Sequence, residues 1–195
     1  DPEYDGPNAK GMDPDWVIEF ARKGGKMVIG DAPDEVSLAH AEHILSLYDG
    51  HIRYADDALG GMLDELKRAG IYDDALIVVT SDHGEAMWEH GMLGHSRTIF
   101  DEMVHVPLVI KLPAGMETEA AVVEDLTSIM DLFPSICAWL DVPAPEVLDG
   151  KLLAQLLDLE PDPGRQLLLR TFHSNPAIAS RGANSKLRFD PRAGD

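Results

Sequence analysis

The sequence predicts an α/β fold with a mixed or largely parallel sheet flanked by helices, followed by a small antiparallel piece. A long stretch with helical spacing of apolar residues precedes two continuous apolar runs, ALIVV (75–79) and PLVI (107–110). A further apolar helix follows these runs, and strands that alternate with helices are typical of α/β proteins. Near the end, RQLLLRTF and SKLRFD indicate less buried, antiparallel strands.

The longest predicted helix runs from Glu35 to Ala69 and ends at Gly70. The segment before it, DPEYDGPNAKGMDPDW, is rich in Pro, Gly and Asp and is interpreted as a loop. Within the helix, apolar residues recur at alternating steps of three and four, so they share one face. These residues are Leu45, Tyr48, Ile52, Ala55, Leu59, Met62 and Leu66.

The two apolar runs that follow are fit for strands covered on both faces. MDLFPSICAWL then predicts a helix with Asp131 as its N-cap and Pro134 in its first turn. Cys137 is expected in the core of that helix, because free cysteine is usually buried. KLLAQLL predicts a short helix. We assign residues 1–159 to the main domain and 160–195 to part of a small C-terminal subdomain.

The charge of the chain limits its partners. There are 16 basic and 35 acidic residues, and the net charge of −19 repels nucleic acids and anionic membrane surfaces. No stretch approaches the roughly 18 apolar residues of a membrane span. An anionic substrate would therefore need a local positive centre, which a bound metal ion supplies. The single cysteine excludes an internal disulfide and a multi-cysteine zinc site.

A polar cluster directly follows the first apolar run. The segment TSDHGEAMWEHGMLGH, Thr80–His95, holds three histidines and three acids. Asp82 and His83 come where the predicted strand ends, the edge at which α/β sheets collect ligands. A carboxylate oxygen and a neutral imidazole can bind one divalent cation together. Alternatively, Asp82 caps a short helix and His83 is a surface histidine, and on these residues alone both interpretations stay open.

Three segments resemble the sulfatase family of the alkaline phosphatase superfamily. They are DPEYDGP at the start, YDGHIRY through VIKLP (48–113), and DLTSIMDLFPSICAWLDVPAPEVLDGKLL (125–153). They resemble that family in the same order along the chain. The resemblance implies an alkaline-phosphatase-like fold, of which this chain would be the C-terminal portion and thus an incomplete domain.

The resemblance also implies roles for individual residues. Asp82 and His83 correspond to ligands of a divalent metal, with calcium expected first and manganese or zinc also compatible. His95 corresponds to a catalytic residue that contacts the sulfate group and assists the leaving oxygen, which suits an imidazole that titrates near neutrality. Arg97 is a weaker candidate for substrate binding, since an exposed arginine is commoner. Three acids are candidates for orienting a histidine, namely Glu85, Glu89 and Glu102.

The family nucleophile is a Cys or Ser in C-x-P-S-R or S-x-P-S-R, which is converted to formylglycine. Neither pattern occurs in this sequence. We therefore expect no nucleophile in this chain and place the formylglycine in an upstream portion. By itself the chain is expected to bind metal weakly and to show no turnover.

The predicted function is hydrolysis of small anionic sulfate esters by a metal-dependent sulfuric ester hydrolase. A phosphodiester or phosphonate monoester hydrolase, or a phosphotransferase of the same superfamily, is the first alternative. A non-catalytic fragment with a structural metal site is the second. Nucleic acid is not expected as a partner, and neither compartment nor oligomeric state is predicted.

Overall fold

A computed structural model describes residues 38–95, 98–116, 122–157, 159–171 and 177–189. These residues form a mixed α/β structure, which confirms the predicted fold class, and they group into two compact units. The first unit contains the described residues up to His95 together with His105–Gly115. The second contains 98–104 and the described residues from Met116 onward. Across all the described ranges, no helix is both long and apolar enough to cross a membrane.

Helix α1, Leu38–Arg68, confirms the long predicted helix over its described part. Gly70 terminates the helix just after its last residue; it has a φ of +71° and donates its N–H to the Lys67 carbonyl at 3.0 Å. The N–H of Ile71 bonds to the Leu66 carbonyl at 3.1 Å, which completes the glycine-dependent helix end known as a Schellman motif.

The apolar stripe of α1 is not packed into a core by the described residues. Ile52 and Met62 are 55% and 66% exposed in this part of the chain.

Strands β1 (Ile77–Thr80) and β4 (Leu108–Lys111) confirm the two predicted strands, but the described residues do not cover them on both faces, since Val109 is 61% exposed. They pair antiparallel, with Ile77 opposite Lys111 and Thr80 opposite Leu108. The Thr80 hydroxyl donates to the Pro107 carbonyl at 2.8 Å and fixes the end of β1 against the start of β4.

Lys111 ties this strand pair to the loop that follows α1. Its ammonium donates to the carbonyls of Tyr72, Asp73 and Ala75 at 2.5, 2.6 and 3.1 Å. It also lies 4.8 Å from the centroid of the Tyr72 ring, a cation–π distance. The ammonium thus adds a charged donor to three carbonyls, of which those of Tyr72 and Asp73 also accept the backbone N–H groups of Ala75 and Ala114.

The first unit also holds a small hairpin of two strands, β2 (Ala86–Met87) and β3 (Leu93–Gly94). The second unit begins with helix α2 (Asp101–Val104) and continues with short helices and a three-stranded sheet. Its later elements are a 3-10 turn at Ile129–Asp131, helix α3 at Leu132–Trp139, a 3-10 turn at Ala154–Leu157, and strands β5 at Leu167–Arg170, β6 at Ile178–Arg181 and β7 at Lys186–Phe189.

Asp131 is the N-cap residue of α3, as predicted, but its side chain makes no capping hydrogen bond to this helix. Ser128 is the N-cap of the preceding turn, and Asp131 completes that capping box by accepting the Ser128 N–H at 2.7 Å. Its other oxygen accepts the Lys151 N–H at 2.8 Å and an Arg165 guanidinium N–H at 2.7 Å. The fully buried carboxylate therefore joins segments that are far apart in sequence.

The backbone around Asp131 is closely packed. A Cβ on Gly150 would collide with the Met130 carbonyl, which explains the glycine before Lys151. Within KLLAQLL, Ala154–Leu157 forms a 3-10 turn rather than the predicted helix, and the Leu153 N–H before it donates to the Ser135 hydroxyl at 2.9 Å. Cys137 is buried, as predicted.

The sheet order is β5-β6-β7, antiparallel throughout. Strands β5 and β7 confirm the predicted antiparallel strands, whereas β6 was not predicted. A hydrophobic core in the second unit contains Ile99, Ala177 and Ala179, with Leu169 packed against them. The division between residues 159 and 160 into domain and subdomain stays a prediction.

Candidate functional site

The loop that follows β1 is held in place by hydrogen bonds of its own side chains. The Ser81 hydroxyl donates to the His83 carbonyl at 2.7 Å, and the His83 N–H donates to Asp82 Oδ1 at 3.0 Å. Such local side-chain bonds stabilise a tight turn without a helix. The turn leaves the Asp82 side chain 86% exposed and that of His83 43% exposed.

The environment of His83 fixes its tautomer. Its Nδ1 lies 2.8 Å from the Gly84 carbonyl, which can only accept, so Nδ1 carries the hydrogen. In the neutral ring, Nε2 then retains its lone pair. This atom lies 3.9 Å from Asp82 Oδ1.

The pair fits a divalent cation. Two ligand atoms that each lie about 2.0–2.6 Å from one ion are roughly 3–4 Å apart. Asp82 Oδ1 and His83 Nε2 have this separation, and they combine a hard oxygen with an imidazole nitrogen. In the described residues, no group of three or more His, Cys, Asp or Glu side chains is arranged to hold a metal ion.

The β2–β3 hairpin returns the chain to this loop. Ala86 pairs with Gly94 and Met87 with Leu93. Its turn is closed by the Trp88 N–H, which donates to the Met92 carbonyl at 2.8 Å. Because residues that flank an antiparallel pair face each other, the hairpin brings His95 beside Glu85.

His95 lies in this cluster. Its Nδ1 is 3.1 Å from Glu85 Oε2, and its ring stacks on that of His83 with centroids 4.3 Å apart and planes at 29°. The structure therefore brings together Asp82, His83 and His95. Arg97 lies outside the described residues.

The sequence named three acids that could orient a histidine, but it could not choose among them. The hairpin register supplies the missing information, because it places Glu85 next to His95. Glu89 instead accepts the Met87 N–H at 2.6 Å. Strands of two residues are too short to leave a periodic pattern, so only the glycines and the turn could have indicated this hairpin.

Residues 2–142 match the family model described as Sulfatase. The chain is 38% identical over 111 residues to the multifunctional alkaline phosphatase superfamily protein PehA of Trinickia caryophylli, covering 56% of this chain and 21% of that protein. It is 27% identical over 126 residues to the ulvan-active sulfatase of Formosa agariphila, covering 64% of this chain and 24% of that protein.

A solved structure, the phosphonate monoester hydrolase of Agrobacterium radiobacter, superposes with a TM-score of 0.62 at 30% identity. The match covers 82% of this chain and 37% of that one. The chain thus spans well under half the length of the proteins that it matches.

Proposed function

The chain belongs to the sulfatase family, and from that premise we propose that it carries part of the active site of a metal-dependent sulfate ester hydrolase. The observation that carries the proposal is the 3.9 Å separation of Asp82 Oδ1 and His83 Nε2 at the end of β1. His95, stacked on His83, adds a second functional group next to this pair.

Asp82 and His83 would hold the cation. A bound divalent ion supplies positive charge that polarises the oxygens of an anionic ester. Asp82 contributes a carboxylate on an exposed turn, and the Gly84 carbonyl keeps the lone pair of His83 on Nε2. Calcium is the first candidate, and the imidazole nitrogen also accommodates manganese or zinc.

His95 would contact the substrate. Glu85 occupies Nδ1, while Nε2 makes no hydrogen bond within the residues that the structure describes. When the ring carries its second proton, the Nε2–H group can donate to an anionic ester oxygen, or deliver that proton to the leaving oxygen as the bond to it breaks. A role for Arg97 as a further anion contact stays a prediction.

The remaining parts of the site are expected from residues outside this chain. The match to PehA covers 21% of that protein, and this sequence holds neither C-x-P-S-R nor S-x-P-S-R. We therefore assign the formylglycine nucleophile and further metal ligands to the rest of a longer enzyme. The chain would contribute two ligands and one substrate contact.

A phosphonate monoester hydrolase is the second candidate. The Agrobacterium radiobacter enzyme of that name is 30% identical to this chain, and its match covers 82% of it. Phosphonate and sulfate monoesters both present a tetrahedral anionic group, which a cation and a histidine can bind in the same way. A structural metal site without catalysis is the third.

Calorimetric titration of the chain with calcium, manganese and zinc tests the cation site. We expect weak binding, with a dissociation constant on the order of 10⁻³ M, because two protein ligands compete poorly with water. Asp82→Ala and His83→Ala should each abolish it. Asp74→Ala and His51→Ala alter an exposed acid and an exposed histidine elsewhere in the first unit, and should leave it unchanged. Equal binding by all four variants would contradict the proposal.

Ligand titration in the presence of metal separates the two ester classes. For a sulfate ester hydrolase, an aryl sulfate should perturb the ring resonances of His95 at lower concentration than an aryl phosphonate does. The opposite order favours the second candidate. We also expect no sulfate release from the isolated chain. Release at a rate abolished by Asp82→Ala would contradict the assignment of the nucleophile to a longer enzyme.

A further inference from the structure

The contact between Glu85 and His95 is set by the register of the β2–β3 hairpin. The turn from Trp88 to Met92 is closed by the bond from the Trp88 N–H to the Met92 carbonyl and by a bond from the Gly91 N–H to the Trp88 carbonyl at 3.0 Å. Gly91 has a φ of +67°, which glycine adopts without strain. Since a slip of one residue turns every side chain to the other face, this turn also fixes which acid meets His95.

The chemistry of the pair determines the direction of its hydrogen bond. The two Glu85 oxygens lie 3.3 and 3.1 Å from His95 Nδ1. An ionised carboxylate only accepts, so Nδ1 must carry a hydrogen whether the ring is neutral or charged. In the neutral ring, the lone pair therefore resides on Nε2.

The two acids of the hairpin differ in their contacts. Glu89 Oε2 accepts the Met87 N–H and so helps to close the turn. Glu85, whose side chain is 22% exposed, is the more buried partner of His95, whose side chain is 49% exposed. Glu85 is thus fixed on the hairpin while the ring that it contacts reaches the surface.

Gly94 links the strand to His95. It has a φ of +94°, and a Cβ there would lie 3.7 Å from Glu85 Oε1, an ordinary contact distance. The glycine is therefore needed for its backbone conformation rather than for space. This conformation directs the chain from β3 to the position at which His95 meets both Glu85 and His83.

We propose that Glu85 is a positioning residue that fixes the orientation and tautomer of His95. Both stacked histidines are then held in the same manner, each through an Nδ1 that donates to an oxygen, Gly84 O for His83 and a Glu85 carboxylate for His95. Both Nε2 atoms remain for ligands. The consequence for catalysis rests on the proposed function of His95, whereas the tautomer itself does not.

Nuclear magnetic resonance of the ¹⁵N-labelled chain tests this inference directly. Long-range ¹H–¹⁵N correlations at about pH 8, where an ordinary imidazole is neutral, report which ring nitrogen carries the hydrogen. We expect Nδ1–H for His95 in the wild-type chain. Glu85→Ala should shift His95 to the Nε2–H form, and Glu85→Gln should restore Nδ1–H because the amide oxygen still accepts.

Glu89→Gln is the control, since it removes an acidic charge from the same hairpin while its amide oxygen can still accept the Met87 N–H. It should leave the His95 tautomer unchanged, and unaltered signals from His51 and His105 show that each variant is folded. A wild-type His95 in the Nε2–H form, or a Glu85→Ala chain that keeps Nδ1–H, would overturn the proposal.

Calcium titration of the same samples distinguishes a failure of the positioning role of Glu85 from a failure of the proposed metal site. Glu85→Ala leaves both proposed metal ligands in place, so calcium should still perturb His83. A changed His95 tautomer without any calcium response supports the positioning role and contradicts the proposed metal site. A calcium response together with an unchanged His95 tautomer in Glu85→Ala supports the proposed metal site and contradicts the positioning role.

Discussion

Asp131 in the second unit is fully buried, whereas the side chain of Asp82 in the first is 86% exposed, although each accepts a nearby backbone N–H. Asp131 has three donors around its two oxygens, and one is the guanidinium of Arg165, itself only 11% exposed. Asp82 has one backbone donor and faces the lone pair of His83 at 3.9 Å.

The difference in burial and in neighbouring groups indicates which carboxylate stabilises the fold and which is available to a ligand. A buried carboxylate surrounded by donors is fixed in place, and removing it leaves a buried cation without its partner. An exposed carboxylate next to an unprotonated nitrogen has open electron pairs that a cation can use. Burial and the type of neighbour therefore separate an acid that stabilises the fold from one that can bind a ligand.

Replacing Asp131 should give the largest loss of stability. Asp131→Ala removes the carboxylate that pairs with the nearly buried Arg165 at 2.7 Å, and the free energy of unfolding should fall by about 3–5 kcal/mol. Urea denaturation followed by circular dichroism measures this. Asp162→Ala removes the partner of Lys151 at the surface and should cost far less. A loss below about 1 kcal/mol in Asp131→Ala would contradict the structural role that distinguishes Asp131 from Asp82.

Replacing Lys111 tests whether a charged side chain also stabilises the first unit. Lys111→Met removes a charged donor from three carbonyls, two of which keep a backbone N–H, and the free energy of unfolding should fall by about 2 kcal/mol. Lys67→Met is the control, because Lys67 pairs with Asp64 at 3.4 Å on the exposed surface. Equal midpoints of urea denaturation for the two variants would show that the Lys111 contacts do not stabilise the unit.

Asp101 is an intermediate case, with a side chain that is 52% exposed. Hydrogen bonds from Lys186 at 2.7 Å and Arg181 at 2.9 Å hold the pKa of its carboxyl below the ordinary value of 3.8. A lowered folded-state pKa means that the pair stabilises fully above pH 3.8, and that this stabilisation is lost as the pH falls through the lowered value.

Asp101→Asn should therefore lower the free energy of unfolding at neutral pH by less than about 1 kcal/mol, because the pair is half-exposed. The difference between wild type and variant should shrink as the pH falls below 3.8. Urea midpoints measured as a function of pH check this. A constant difference at every pH would assign the effect to something other than ionisation of Asp101.

Alanine at the candidate site should have the smallest effect on stability. Asp82→Ala and His83→Ala remove exposed side chains, and the free energy of unfolding should change by no more than about 0.5 kcal/mol. The same denaturation assay measures it. A loss comparable to that of Asp131→Ala would mean that the cluster is structural after all.

The sequence predicted those features that depend on local patterns. The stripe from Leu45 to Leu66 indicated α1, Gly70 marked its end, and the ends of the apolar runs located Asp82 and His83. The contacts of Asp131 could not be predicted in this way, since its partners Lys151 and Arg165 lie 20 and 34 residues away. An aspartate before a helix has the same sequence pattern whether it caps the helix or joins distant segments.

Short elements were also missed. The β2–β3 hairpin has two residues per strand, too few for a clear period of two. Strand β6 has four residues, as β5 and β7 do, but its sequence IASR has neither an apolar run nor an apolar–polar alternation. The hairpin matters most, because the pairing of Ala86 with Gly94 brings Glu85 to His95. The candidate metal ligands could thus be named from the sequence, whereas the contact between Glu85 and His95 required the fold.

The central claim is that Asp82 and His83 jointly hold a divalent cation, and substoichiometric Mn²⁺ added to the ¹⁵N-labelled chain tests it most directly. Manganese broadens the resonances of nuclei close to it. We predict that signals of Asp82, His83 and His95 broaden first, those of His51 last, and that an excess of calcium restores them. Broadening spread evenly over the acidic surface, or centred away from the end of β1, would contradict the claim.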